Sequence, residues 1–246
     1  MRIALINPNT TASMTDTAAD AARRVAATGT VILPLTSKMG PVSIEGYYDE
    51  ALAVPGLLME LAAAEKDGVD AAIIACFDDT GLDAARALAA IPVIGICEAA
   101  IATTSFIAQK FSIVTTMGRS RLPIEHLVHR YGASSRCKVR AADIPVLSLE
   151  DPSSNARERL RAEIAKALEQ DDADAIILGC AGMADLTEQL CQEFQVPVID
   201  GVACAVKQAE ALVGLGVRTA KGNAYAAPVR KPYKGLLEGF APEALC

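Results

Sequence analysis

The chain has 246 residues, 52% hydrophobic and 22% charged, enough apolar content for a substantial core and too much for a disordered chain. With 23 basic against 30 acidic residues, its net charge of −7, the absence of Trp and the lack of any basic run exclude general polyanion binding and base-stacking platforms. Apolar stretches such as Ala71–Phe77 and Ile91–Cys97 are strand-sized, too short to span a bilayer, and the opening apolar run breaks at Asn7-Pro8-Asn9 before a signal peptide forms. A cytoplasmic chain with no nucleic-acid or membrane partner is expected.

In chain order, Arg2–Ile6 reads as a strand and Thr11–Ala27 as a helix with Thr10 or Thr11 as its cap. Val31–Leu35 is a second strand. A Gly/Pro-bearing segment, Gly40–Gly46, leads into a helix over Asp49–Glu65. Strand Asp70–Ala75, helix Leu82–Ala89 and strand Pro92–Ile96 follow. The pattern resumes with a helix at Ala99–Lys110, a strand at Phe111–Thr115 and a helix at Pro123–Tyr131. An irregular stretch separates these from helix Ala156–Leu168, strand Ala175–Leu178, helix Ala184–Phe194, strand Val196–Ile199 and helix Val202–Val213. Strands alternating with helices predict an α/β fold with parallel sheets and right-handed crossovers.

The chain also resembles itself. Asp70-Ala-Ala-Ile-Ile-Ala-Cys76 matches Asp174-Ala-Ile-Ile-Leu-Gly-Cys180, and Pro92-Val93-Ile94 matches Pro197-Val198-Ile199 in the same order. Ile3–Asn7 has a looser counterpart in Ser112–Thr116. The recurrence predicts two pseudo-symmetric lobes, each a parallel sheet flanked by helices, with the site in the cleft between them. Residues 1–98 with 201–230 would form the first lobe, 99–200 the second, and 231–246 a tail.

Seven cysteines without an export signal argue against a disulfide framework, and no Cys-x-x-Cys pair offers a zinc clasp. His126 and His129 share a helix face, but no third ligand accompanies them, so no metal is expected. Position singles out Cys76 and Cys180. Each ends a strand at the carboxyl edge of a parallel sheet, where ligands sit. The positive end of a following helix would also lower the thiol pKa there. Equivalent groups approaching one cleft from opposite sides suit a two-base racemisation: one thiolate removes a proton from carbon and the other thiol returns one to the opposite face. Cys97, Cys137, Cys191, Cys204 and Cys246 lack this register and read as structural or incidental.

The strings Leu5-Ile6-Asn7-Pro8-Asn9-Thr10, Pro41-Val42-Ser43-Ile44-Glu45-Gly46, Ile74-Ala75-Cys76-Phe77-Asp78-Asp79 and Gly179-Cys180-Ala181-Gly182-Met183 resemble those of hydantoin racemases, within the aspartate/glutamate racemase superfamily. The likeness runs from about Arg2 to Ala226. It implies a cofactor-independent isomerase acting on 5-monosubstituted hydantoins, with Cys76 and Cys180 as its two bases, and a homo-oligomeric assembly. Allantoin racemases share much of the pattern, and allantoin is itself a 5-substituted hydantoin. An Asp/Glu racemase is disfavoured because no cation is placed for a second carboxylate. From other classes, a two-lobed binding protein would have no use for matched cysteines, and a dithiol sensor needs its Cα atoms within about 7 Å.

Several neighbours are placed to hold the ring. Asn7 and Asn9 end the first strand and can donate or accept, although turn chemistry would also satisfy them. Thr115, Thr116 and Met117 end the equivalent second-lobe strand. Ala181 and Gly182 offer free backbone N–H groups at a helix start, and Phe77 and Asp78 occupy the matching place after Cys76. Asp78 or Asp79 also reads as a cap for the next helix. Ser43 and Ile44 lie on the segment expected to cover the cleft.

Overall fold

Alternating side chains of the first strand serve two different cores, which fixes the architecture. Ile3 and Leu5 pack into one apolar cluster, Ala4 and Ile6 into another, and all four are fully buried. Such a strand needs cover on both faces. The computed structural model describes residues 1–151 and 153–242 and supplies that cover with helices. The last residues of the expected tail, 243–246, including Cys246, lie outside the described residues.

The first sheet consists of β1 (Arg2–Asn7), β2 (Val31–Thr36), β3 (Ala71–Ile74) and β4 (Val93–Gly95), in the order β2-β1-β3-β4. The second consists of β5 (Phe111–Thr115), β6 (Cys137–Ala141), β7 (Ala175–Gly179) and β8 (Val198–Asp200), in the order β6-β5-β7-β8. Every pairing in both sheets is parallel. Position by position the two orders are the same, which is the repeat read in the sequence.

Hydrogen bonds repeat with it. The Arg2 and Lys110 amides donate to the carboxylates of Asp70 (2.7 Å) and Asp174 (3.0 Å), and each aspartate's own amide returns a bond of 2.8 Å to the same neighbour. Ala72 and Ile176 donate equivalently to Pro92 and Pro197, both at 2.9 Å. The pairing of Ile3 with Ala71 and of Phe111 with Ala175 makes Ile3 equivalent to Phe111 and Asn7 to Thr115. The sequence comparison, which matched Ile3 to Ser112, is therefore one residue out of register. Two uniformly buried strands carry no side-chain alternation to fix it.

Among the described residues, the α-helices are α1 (Ala12–Val25), α2 (Tyr47–Lys66), α3 (Leu82–Leu88), α4 (Ile96–Thr104), α5 (Arg121–Arg130), α6 (Ala156–Gln170), α7 (Thr187–Phe194) and α8 (Gly201–Gly214). Residues of α1, α4, α5 and α8 join the inner faces of both sheets in one continuous core, with Ile3, Ile94, Phe111, Ile113, Val202 and Val206 among them. Helices α2 and α3 cover the outer face of the first sheet, α6 and α7 that of the second. Among the described residues, no helix is long and apolar enough to cross a membrane.

Two expectations change. The stretch read as irregular holds β6, so Cys137 opens a strand; the charges of Cys-Lys-Val-Arg-Ala hide it because β6 is an edge strand. Asp171 explains those charges: it accepts from Arg140 at 2.5 and 2.8 Å and from Ser112 at 2.9 Å. The fourth helix starts at Ile96, not Ala99, because the Asp79 carboxylate accepts from the Cys97 and Glu98 amides, both at 3.0 Å. Asp79 thus caps a helix, but not the next one, whose start is Gly81 in left-handed conformation.

Candidate active site

Strands β1, β3, β5 and β7 are the central pairs of their sheets, and their carboxyl ends converge on one cleft. In each sheet the chain reverses its lateral direction between these two strands, a switch point where parallel sheets leave a crevice. Cys76 follows β3 and Cys180 follows β7; both line the cleft, with Asn7, Asn9, Ile44, Phe77, Asp78, Thr115, Thr116, Ala181 and Gly182. The space within the cleft that water can enter is about 40 Å³, inside about 510 Å³ of empty space that runs out into solvent. Gly179, just before Cys180, is dictated by close approach, since a Cβ there would lie 2.9 Å from the Thr115 Cα.

Local bonds divide these residues into supports and free groups. Asn7 Nδ2 donates to Asn9 Oδ1 (2.8 Å), to the Thr11 carbonyl and to Thr15 Oγ1 (both 3.1 Å), and Asn7 Oδ1 accepts from the Asn9 amide. Its amide is spent on the turn. Asn9 Oδ1 also accepts from the Thr11 amide, but Nδ2 has only the Met14 thioether at 3.4 Å, a weak acceptor. Asn9 is the asparagine with a donor left for a ligand. The Thr115 hydroxyl donates to the Gly179 carbonyl at 3.0 Å and ties β5 to β7.

Ser43 and Met117 lie outside the lining. Ser43 donates to Glu45 Oε1 at 3.5 Å, and Met117 is half-buried before a short 3₁₀ turn. Glu45 Oε1 also accepts from the Val146 amide at 3.2 Å, so the covering segment of the first half is fastened to the second. His126 faces Tyr47 Oη at 3.2 Å, and His129 faces Ser134. Sequence reasoning missed Met14, Ala75, Ser120, Val146 and Gly179 in the lining. Adjacency to the cysteines could have found Ala75 and Gly179. Nothing local marks Ser120 or Val146, which arrive through tertiary packing.

The electrostatics oppose ionisation. Burial pushes the Cys76 thiol far up, and the Asp78 charge adds to it, while the Asp78 backbone N–H pulls the other way. Burial pushes Cys180 up to about 11, against a pull from the Gly182 backbone N–H. Each thiol is thus faced by the amide two residues later. The expected lowering by a helix N-terminus is outweighed by loss of solvent, and Cys76 is followed by a turn, since α3 begins only at Leu82. Asp78 is raised to about 8 by burial and by the nearby Glu50 and Asp79 charges. The nearby Glu50 carboxyl is itself raised by burial. Among the described residues, the lining holds no Lys, Arg or His. A thiolate formed at one cysteine and the thiol of the other, beside an uncharged carboxyl and with no cation among the described lining residues, can exchange protons with a neutral carbon acid, and such a space disfavours a carboxylate ligand.

The protein-family model described as Asp/Glu/Hydantoin racemase matches residues 3–209. A hydantoin racemase of Rhizobium meliloti is 51% identical over 236 residues, covering 96% of this chain and 98% of that protein. A hydantoin racemase of Pseudomonas sp. (strain NS671) is 45% identical, covering 98% and 97%. Among solved structures, an allantoin racemase from Klebsiella pneumoniae superposes with a TM-score of 0.95 at 48% identity, over 98% of this chain and 99% of that one. The chain belongs to the Asp/Glu/hydantoin racemase family and is an isomerase of the racemase type.

Proposed function

We propose that the protein racemises 5-monosubstituted hydantoins without a cofactor, by two-base proton transfer at C5 between Cys76 and Cys180. The observation that carries this reading is the entry of two equivalent thiols, one from each sheet, into one cleft without a cation. One cysteine, as thiolate, takes the C5 proton and the electron pair moves into the adjacent ring carbonyl as an enolate. The other, as thiol, protonates the opposite face and is left as thiolate, so the roles exchange for the other enantiomer. Asn9, Thr116 and the backbone amides of Ala181 and Gly182 are the ring contacts, with Ile44 and Phe77 beside the C5 substituent. Residues 1–98 with 201–230 and 99–200 act as the two lobes that carry one thiol each.

A neutral ring suits the site. An amino-acid carboxylate would meet raised acids and no counter-charge, and its enolate would be a dianion. Allantoin remains within this substrate class, in keeping with the name of the Klebsiella relative. The test follows one enantiomer each of 5-benzylhydantoin, 5-isobutylhydantoin and allantoin in D₂O by optical rotation and C5 deuterium content. Enzyme-dependent loss of rotation, absent in Cys76→Ala and Cys180→Ala, is the expected result, and the fastest substrate names the preference. No enzyme-dependent exchange with any of the three would falsify the reading.

A further inference from the structure

Glu50 lies on α2, outside the cleft lining and outside the motifs that first marked the site. Its Oε1 is nevertheless buried with no hydrogen-bond partner among the described residues, and its carboxyl lies close enough to Asp78 for each to act on the other's titration. Two buried carboxyls that act on each other, with no cation among the described lining residues, hold a proton between them, because charging both is costly. A protonated carboxyl is a hydrogen-bond donor, which a carboxylate is not. Asp78 is the member of the pair that faces the cleft, beside Cys76 and close enough to Cys180 to bias both thiols.

We propose that Asp78 works as a carboxylic acid, donating a hydrogen bond to the substrate carbonyl oxygen that gains charge when C5 is deprotonated, and that Glu50 is the positioning residue that keeps the proton there. The role rests on the racemase reading above. No proton leaves Asp78 in the cycle: the C5 proton goes to one thiolate, the electron pair goes to the oxygen under the Asp78 O–H, and the opposite thiol restores C5–H. A fixed donor at that oxygen stabilises the transition state more than the ground state.

The groups facing the pair are Asp79 and the two thiols around Asp78, and Asp49 beside Glu50; Glu45 faces Cys180. All are acidic. The pH profile of kcat/KM for hydantoin and allantoin racemisation, read for wild type, Asp78→Asn and Glu50→Gln, tests the role. Because the thiolate fraction grows with pH, the wild-type rate should rise on the acid side and level off as Asp78 ionises, at about 8. Asp78→Asn keeps a donor that cannot ionise, so activity stays within roughly tenfold and the rate keeps rising past that pH. Glu50→Gln removes the opposing charge, so the levelling moves to lower pH. Asp78→Leu should lower kcat by about 100-fold. A profile unchanged in both polar variants overturns the proposal, as does a wild-type rate that keeps rising through that pH with no bend as Asp78 ionises. Carbon-13 NMR of the aspartate carboxyls, without substrate, provides a separate readout. A resonance titrating near 8 should vanish in Asp78→Asn and shift down in Glu50→Gln. Its absence in an active enzyme overturns the shared proton alone. Its presence in a protein that racemises neither substrate overturns the racemase reading, and the donor role with it.

Discussion

The Tyr131 hydroxyl donates to Asp79 Oδ2 at 2.7 Å, joining the end of α5 in one half of the molecule to the loop behind Cys76 in the other. The same carboxylate caps α4, so one buried acid fastens the loop, a helix start and the opposite half. Tyr131→Phe keeps the ring and deletes the bond. It should cost about 1–2 kcal/mol in urea unfolding with the denaturant slope unchanged, and raise the Asp79 pKa further above its value of about 7. An unchanged unfolding midpoint would show that the bond holds nothing.

Single-cysteine variants separate the two faces of the substrate. With one base left, the proton can only leave and return on the same side. Cys76→Ala and Cys180→Ala should each take up deuterium from one enantiomer without inverting it, and the favoured enantiomer should differ between them. The readout is chiral chromatography coupled to mass spectrometry in D₂O. The same enantiomer exchanging in both variants contradicts a two-sided arrangement.

Burial sets the reactivity of the thiols. With Cys180 pushed up to about 11 and Cys76 higher, both are thiols at neutral pH, and the thiolate fraction grows with pH. Iodoacetamide labelling, followed at each site by peptide mass spectrometry, should be slow at neutral pH and rise tenfold per pH unit below those values. A plateau near neutral pH at either cysteine would refute the burial argument.

Asp78 and Asp79 also tie stability to pH. Their folded pKa values, about 8 and about 7, lie above the ordinary 3.8, so the folded state binds more protons between those limits. Stability is therefore greatest on the acid side of that window and falls as pH rises through it. Asp171 has the opposite sign: bonds from Arg140 hold it down at about 2, and that contribution is lost only as pH falls from 3.8 towards it. Chemical denaturation of wild type and Asp78→Asn from pH 4 upward should show a shallower decline in the variant. Parallel curves would remove Asp78 from the linkage.

Gly95 is a packing requirement of the same loop. A Cβ there would lie 2.3 Å from the Asp79 Cγ, so Gly95→Ala must push the carboxylate off the α4 amides. The expected loss is about 2–3 kcal/mol in thermal or urea unfolding. Gly214→Ala, with nothing within 4 Å of its new Cβ, is the neutral control. Equal melting points for the two variants would discount the clash.

The sequence determined most of the frame. Buried runs of Ile, Val and Ala bounded by helical stretches can only be parallel strands covered on both faces, and Asp70–Cys76 recurring at Asp174–Cys180 placed two thiols at equivalent strand ends. Strand ends are local features, so Asn7, Asn9, Thr115 and Thr116 were legible with them. Edge strand β6 was not, because its charged residues answer to Asp171, more than thirty positions away. Tertiary structure alone decided that Val146 closes the cleft against Glu45, that Asp79 caps α4, and that Glu50 stands behind Asp78. It also reversed the sign expected for the thiols: a helix terminus is visible in sequence, but desolvation depends on everything packed around a group, and here it is the larger effect.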